Sequence, residues 1–308
     1  MASAFANAPS RGEGRARPGL VARAGLGHPM ILVFGQTGQV ATELQRQGEV
    51  TALGRDQADL ADPHACAAVI TERKPGVVIN AAAYTAVDKA EDDAPLAQVI
   101  NADAPGAMAR ACAAQDIPLL HISTDYVFEG SGTRAWAETD PVSPQNAYGR
   151  TKLAGEEAVR ASGGRHIILR TAWVFSAHGA NFVKTMLRLS ETRRALTVVD
   201  DQIGGPTPAA DIASTLLTLA EAMRNGATGG TYHYAGTPHT SWADFAREIF
   251  ARAGKDVSVT GIPSSDYPTP AQRPLNSRLD CAKLTSDFGI TPPDWKAGLA
   301  AVLKDLAI

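Results

Sequence analysis

The sequence predicts an α/β fold of the Rossmann type, a doubly wound parallel sheet followed by a smaller, loop-rich C-terminal region. Three observations predict it. Short apolar runs alternate with helical patterns from Met30 to Arg170. The first run leads through a glycine-rich turn straight into a helix, and residues able to do chemistry recur just past the ends of the runs. Continuous apolar runs without polar alternation are strands buried on both faces, as in a parallel sheet covered by helices on each side.

Taken in order, Met30–Phe34 reads as the first strand, Thr42–Gln47 as helical, and Val50–Gly54 as the second strand. Pro63–Arg73 is a helix with Pro at its start, where the missing N–H costs nothing, and Val77–Asn80 is the third strand. Ala94–Gln115 reads as one helix, Pro118–Ser123 as the fourth strand, Asn146–Ala161 as a helix and His166–Arg170 as the fifth strand. Beyond these, Asn181–Thr192, Ala209–Arg224 and Ser241–Ala253 are helical in pattern, and Leu196–Val199 and Thr231–Tyr234 are short strands. Loops rich in Pro and Gly separate them, notably Asp201–Thr207 and Pro263–Pro274. Long ordered loops usually bind ligands, so substrate recognition is expected there. The expected division is residues 30–175 as the Rossmann core and 176–308 as a mainly substrate-binding region interleaved with it. Residues 1–29, with four arginines, one acidic residue and no long apolar run, are expected to be a disordered extension or the product of a start assigned upstream of Met30. The alternative for this arginine-rich stretch is a transit peptide.

Composition narrows the partners. With 308 residues, 44% of them apolar, the chain can bury a large core, and a formal net charge of −3 without a basic stripe gives no reason to expect nucleic acid or membrane. Cys66, Cys112 and Cys281 are odd in number, far apart and fit no metal spacing. They suit a reducing cytoplasm and predict neither disulfide nor metal site.

Two motifs carry chemistry. In Gly35-Gln-Thr-Gly38-Gln-Val-Ala41, Gly35 permits a tight turn, Gly38 lets backbone approach a pyrophosphate, and the helix start supplies amide donors. The spacing departs from the dinucleotide fingerprint, since the first two glycines are three apart. Tyr148 and Lys152, four apart on one helix face, pair a phenol with an ammonium. An ammonium beside a phenol pulls its pKa down from about 10, toward a range where it exchanges a proton at cellular pH.

These motifs, with Asn80–Glu91, Ser123–Phe128, Pro144–Glu156, Arg170–Val174, Asn181–Met186, Asp201–Thr207 and Arg273–Arg278, give a sequence that resembles the extended short-chain dehydrogenase/reductases from Met30 to about Leu303. Within them it is most similar to the branch that reduces nucleotide-activated 4-keto-6-deoxysugars. The resemblance implies Tyr148 as proton donor, Lys152 as holder of the nicotinamide ribose, and Thr124 as the hydroxyl bound to the substrate oxygen. Alternation along a strand admits only one of Ser123 and Thr124 into the site, and Thr124 is preferred. For the cofactor it implies Gly35, Gly38, Gln39 and Val40 at the pyrophosphate, Asp59 and Leu60 at the adenine, and Ala81, Ala82 and Tyr84 beside the ribose and nicotinamide. Arg55 ends the second strand where an acidic residue would bind a ribose 2′-hydroxyl, and there it suits a 2′-phosphate. NADPH is therefore expected, with NADH as the alternative and Mg2+ left open.

For a dTDP-sugar substrate, Asp125 is expected to orient hydroxyls, Trp173 to stack on or wall the deoxysugar, and Arg273, with Arg278, to meet the diphosphate. Asn181, Gln202 and Thr207 are further candidates. Some relatives dimerise through metal-bridged glutamates; Glu43 and Glu191 are available, but Lys296 replaces a third carboxylate, so monomer and homodimer both stand. A related 4-ketoreductase, an epimerase and a non-catalytic regulatory homologue are the rival readings.

Overall fold

The computed structural model describes residues 30–308, and the expectation for residues 1–29 lies outside the described residues. The first half runs β1 (Ile31–Phe34), α1 (Gln39–Gln47), β2 (Val50–Leu53), α2 (Pro63–Arg73) and β3 (Val77–Asn80). Two short helices, α3 (Lys89–Asp92) and α4 (Ala94–Gln98), lead through a π-helical segment, Val99–Asp103, into α5 (Ala104–Ala113). Then come β4 (Leu119–Thr124), α6 (Ala147–Ala161) and β5 (His166–Thr171). The last third holds β6 (Val174–Phe175), α7 (Phe182–Ser190), β7 (Ala195–Val199), β8 (Ile203–Gly204), β9 (Thr207–Pro208) and α8 (Ala209–Arg224). It continues with β10 (Gly230–His233), β11 (Thr240–Ser241), α9 (Trp242–Arg252), β12 (Ser258–Ile262), β13 (Asn276–Ser277), α10 (Ala282–Phe288) and α11 (Trp295–Asp305).

Six strands make one parallel sheet in the order β2-β1-β3-β4-β5-β10. Alternation sorts their side chains. Val33, Ile79, Leu120, Ile167 and Leu169 face α1 and α8, packing on Leu44, Ile212, Leu216 and Met223. Leu32, Phe34, Val78, Leu119 and Ile168 face the other way, onto Ile70, Met108 and Val159 of α2, α5 and α6. The order reverses between β1 and β3, so the loops leaving those strands diverge and open a crevice at the carboxyl edge. The C-terminal third thus gives the sheet a strand, β10, and a covering helix, α8. A third apolar cluster joins α7, α9 and α11 through Phe175, Met186, Phe245, Ile249, Trp295 and Leu299.

The helix expected over Ala94–Gln115 is interrupted. Pro105 has no N–H to return to the carbonyl four residues back, Asn101, and the turn widens there into the π-helical segment. That carbonyl sits so close to α6 that a Cβ on Gly155 would strike it. The Asn101 side chain, buried, accepts from Tyr84 N at 2.8 Å and donates to Tyr84 O at 3.1 Å, which fixes the loop after β3.

Candidate active site

At the carboxyl edge the chain leaves β4 extended, and its alternation separates the two hydroxyls. Ser123 Oγ donates to Glu156 Oε1 at 2.6 Å inside the protein, and so it is structural. Thr124 points to the other side, where Oγ1 donates to Asp125 Oδ1 at 3.0 Å and accepts from Tyr126 N at 3.2 Å. Helix α6 starts here because Asn146 caps it, accepting from Gly149 N at 2.7 Å, while Glu91 Oε1 accepts from Ala147 N at 2.7 Å. These fastenings fix Tyr148, whose ring meets Tyr126 edge-on at 5.5 Å and packs on the small cluster of Ala90, Ala97 and Ala147. One turn along, Lys152 is buried.

The electrostatics correct one expectation. Burial pushes the Tyr148 phenol up to about 12, with Asp125 adding to the rise and the Thr124 hydroxyl opposing it. Lys152 does not depress it, because Nζ is directed to Ile122 O at 2.7 Å and His121 Nε2 at 3.3 Å. Burial in turn lowers Lys152 to about 8, Glu156 acting against the shift. Burial likewise raises Asp125 to about 6, with the neighbouring Ser277 and Thr124 hydroxyls acting against the rise.

Among the described residues, Asp125 Oδ2 and Thr171 Oγ1 are buried polar atoms without a protein partner. Thr171 ends β5 directly opposite Thr124, so both orphans lie at the same edge, where a water or a polar ligand can satisfy such atoms. Sequence reasoning missed Thr171 and His121. Only their strand positions, one level with Thr124 and one beside Asn80, could have flagged them.

The cofactor cradle fits a dinucleotide. Gly35 has φ +106°, a conformation in which a side chain would be strained, and it lies against the loop after β3 at Ala81 and Ala82. Gly38 has an ordinary φ of −68° and nothing within 4 Å of a Cβ placed there, so the protein itself does not require glycine. A Cβ would instead fill the exposed space before the α1 N-terminus, where a diphosphate needs to approach. Val40 is buried behind it. Gln39 is engaged, accepting from Ser176 Oγ at 2.9 Å and Asn181 Nδ2 at 3.0 Å. Arg55 is exposed just beyond β2. Asp59 accepts from Ala61 N at 2.9 Å, and the Leu60 side chain lies in the apolar layer with Leu53 and Cys66. Ala82 N donates to Asn80 Oδ1 at 3.2 Å.

On the substrate side the structure revises several expectations. Asn181 caps α7, accepting from Lys184 N at 3.1 Å, and its amide hydrogens go to Gln39, Ser176 O and His178 O. No donor is left for a substrate, so Asn181 is structural. Thr207 is fully buried and bonded to Gly205 O and Gly236 N, and Gln202 donates to Ser264 Oγ at 2.9 Å. Trp173 adopts φ +50°, a strained value for an aromatic residue, and its indole stacks on Trp242 with centroids 3.6 Å apart. With one face covered, it can wall a sugar but has at most one face to stack on it. Arg273 is paired to Asp88 at 2.8 Å, so a diphosphate there has to share or displace that carboxylate. Arg278 donates to Asn276 Oδ1 at 2.9 Å. Glu43 is held by His178 at 3.1 Å and Arg46 at 3.3 Å, and Lys296 lies 3.9 Å from Glu248.

A dinucleotide cradle and a Thr, Tyr and Lys constellation on one sheet edge define an oxidoreductase of the short-chain dehydrogenase/reductase class. Residues 29–308 match the family model described as the RmlD substrate binding domain. The chain is 46% identical over 293 residues to the dTDP-4-dehydrorhamnose reductase of Burkholderia thailandensis, covering 90% of this chain and 98% of that one. It is 42% identical to that of Salmonella typhimurium, covering 90% and 97%. The solved dTDP-4-dehydrorhamnose reductase of Bacillus anthracis, in complex with NADP, superposes with TM-score 0.86 at 33% identity, covering 90% of this chain and 99% of that one. That of Clostridium acetobutylicum gives 0.84 at 39% identity, covering 91% and 100%. The chain belongs to the dTDP-4-dehydrorhamnose reductase family of oxidoreductases.

Proposed function

We propose that this chain reduces the C4 ketone of dTDP-4-dehydro-L-rhamnose to dTDP-L-rhamnose with NADPH, in the cytoplasm, supplying rhamnose for surface polysaccharide. The observation that carries this reading is the meeting of Thr124, Tyr148 and Lys152 beside the orphan oxygens of Asp125 and Thr171. The relatives named above support the sugar nucleotide, and the NADP complex of one of them supports the dinucleotide.

NADPH, when bound, supplies the hydride that joins the sugar C4 carbon. The carbonyl electron pair then moves to oxygen, and Tyr148 gives its phenolic proton to that oxygen while Thr124 holds it by a hydrogen bond. Asp125 accepts from a sugar hydroxyl, and Trp173 walls the ring. Lys152 holds the nicotinamide ribose. Burial holds the Tyr148 phenol up at about 12, and the Lys152 ammonium, with the ribose bound, would be the charge that favours the phenolate left when the proton is given.

The test is incubation with dTDP-4-dehydro-L-rhamnose and NADPH, following loss of reduced nicotinamide and identifying the product by NMR. Stoichiometric dTDP-L-rhamnose is expected. The opposite C4 configuration, or interconversion without net consumption of NADPH, overturns the reading.

The cofactor assignment has its own test. Arg55, at the end of β2, is assigned to the 2′-phosphate of NADPH. A charge-assisted hydrogen bond is worth roughly 1.5–3 kcal/mol, so Arg55→Ala is expected to lower the NADPH-to-NADH ratio of kcat/KM by about ten- to a hundredfold. Equal losses with both dinucleotides would return Arg55 to the role of a solvated surface charge.

A further inference from the structure

His121 is a fully buried titratable side chain that the proposed chemistry does not use. It lies within β4, paired in register with Asn80 of β3, and its ring bridges two elements of the site. Nδ1 stands 3.1 Å from Asn80 Nδ2, and Nε2 stands 3.3 Å from Lys152 Nζ.

Counting hydrogens decides how the ring is protonated. The backbone N–H of Ala82 can only donate, and it donates to Asn80 Oδ1 at 3.2 Å. The other end of that amide, Nδ2, therefore faces His121, and it too can only donate. Nδ1 must accept, so the neutral ring carries its hydrogen on Nε2, directed at Lys152. An amine accepts that hydrogen and still donates to Ile122 O at 2.7 Å. An ammonium has three donors and no acceptor, and it meets the ring N–H unfavourably. A doubly protonated ring is opposed by burial first and by the Lys152 charge second.

We propose that Asn80 locks His121 as its Nε2–H tautomer, and that His121 in this state is a positioning residue that holds Lys152 Nζ and favours its amine form. The proposal rests on the reading of Lys152 as part of the active site. The other ionisable groups around it are Glu156 on its own helix, which favours the ammonium, and Arg170 on β5, whose charge is paired to Glu156. Toward the Tyr148 end stand Asp125 and Tyr126 on the turn after β4, and Glu91 of α3 at the helix start. Burial and His121 thus act together against Glu156, which leaves Lys152 a group that changes charge close to physiological pH.

The tautomer is read directly from two-bond proton–nitrogen correlation spectra of the full chain labelled with 15N-histidine, His121 being assigned by its disappearance in His121→Gln. A ring protonated at Nε2 alone is expected from about pH 6 to 9; one protonated at Nδ1, or at both nitrogens, overturns the proposal. Asn80→Asp provides the second arm. A carboxylate of the same shape accepts from both Ala82 N–H and the ring, so the hydrogen moves to Nδ1 and Nε2 becomes an acceptor for the ammonium. The alkaline limb of the kcat/KM profile, where Lys152 loses its proton, is then expected to rise by about one pH unit. A reversed tautomer with an unmoved limb overturns the hold of His121 on Lys152. Failure of the reductase reading shows separately, as wild-type protein that does not turn over, and leaves the spectra unaffected.

Discussion

Replacing Tyr148 with Phe is expected to lower kcat by roughly 10²- to 10⁴-fold, the range for losing a general acid, while the affinity for NADPH changes little. The substitution removes one oxygen from a ring that packs against Tyr126 and the Ala90, Ala97 and Ala147 cluster, so the first turn of α6 keeps its shape. The dinucleotide cradle at Gly35 and Gly38 lies at the ends of other elements and is untouched. Turnover and cofactor affinity should therefore separate, and single-turnover kinetics with titration of NADPH fluorescence measures both. Retention of turnover within a few-fold of wild type would show that another group delivers the proton. Asp125, raised to about 6 and carrying an oxygen without a protein partner, is then the residue to examine.

Much of this site is legible in the sequence, and the reasons are local. Pro63 at a helix start and the alternation along β4 are backbone rules, and they located α2 and separated Thr124 from Ser123. The glycines were equally legible: Gly35 needs its positive φ, and Gly38 lacks any reason internal to the protein. What escaped depends on contacts between distant segments. Asn181 reads as a free polar residue before a helix, yet its amide is used up on α7, Gln39 and the loop after β6. Arg273 reads as a free cation, but Asp88, 185 residues away, holds it. Spacing placed Tyr148 and Lys152 on one face, but spacing carries no dielectric. The sign of the Tyr148 shift follows from burial and from Nζ turning toward β4, and neither is written in a four-residue interval.

Arg170→Met is expected to be the most destabilising of the substitutions considered, by about 3–5 kcal/mol, because it strands a buried carboxylate. Glu156 is wholly buried and Arg170 nearly so; the guanidinium meets the carboxylate twice, Nε to Oε1 at 2.8 Å and Nη2 to Oε2 at 2.7 Å. Ser123 and Arg160 complete the set around Glu156, and Phe128 lies under the Arg170 guanidinium at 5.0 Å. In the intact protein burial alone would raise Glu156, but Arg170 chiefly, with Ser123 and Arg160, holds it below its ordinary value. A depressed carboxylate contributes stability that is present above the unfolded pKa of about 4.3 and is lost as pH falls through the folded value. Removing Arg170 reverses the sign. Glu156 then binds its proton more tightly folded than unfolded, so the variant loses stability as pH rises above about 4.3 and recovers it as the carboxyl protonates. The deficit relative to wild type should accordingly be largest near neutral pH and shrink toward about pH 4. Urea denaturation of both proteins across that range measures it. Glu156→Gln in the Arg170→Met background should restore part of the loss at neutral pH, since it removes the stranded charge. A deficit independent of pH would mean that Arg170 stabilises the fold through packing on Phe128 rather than through its pairing with the helix that carries Tyr148 and Lys152.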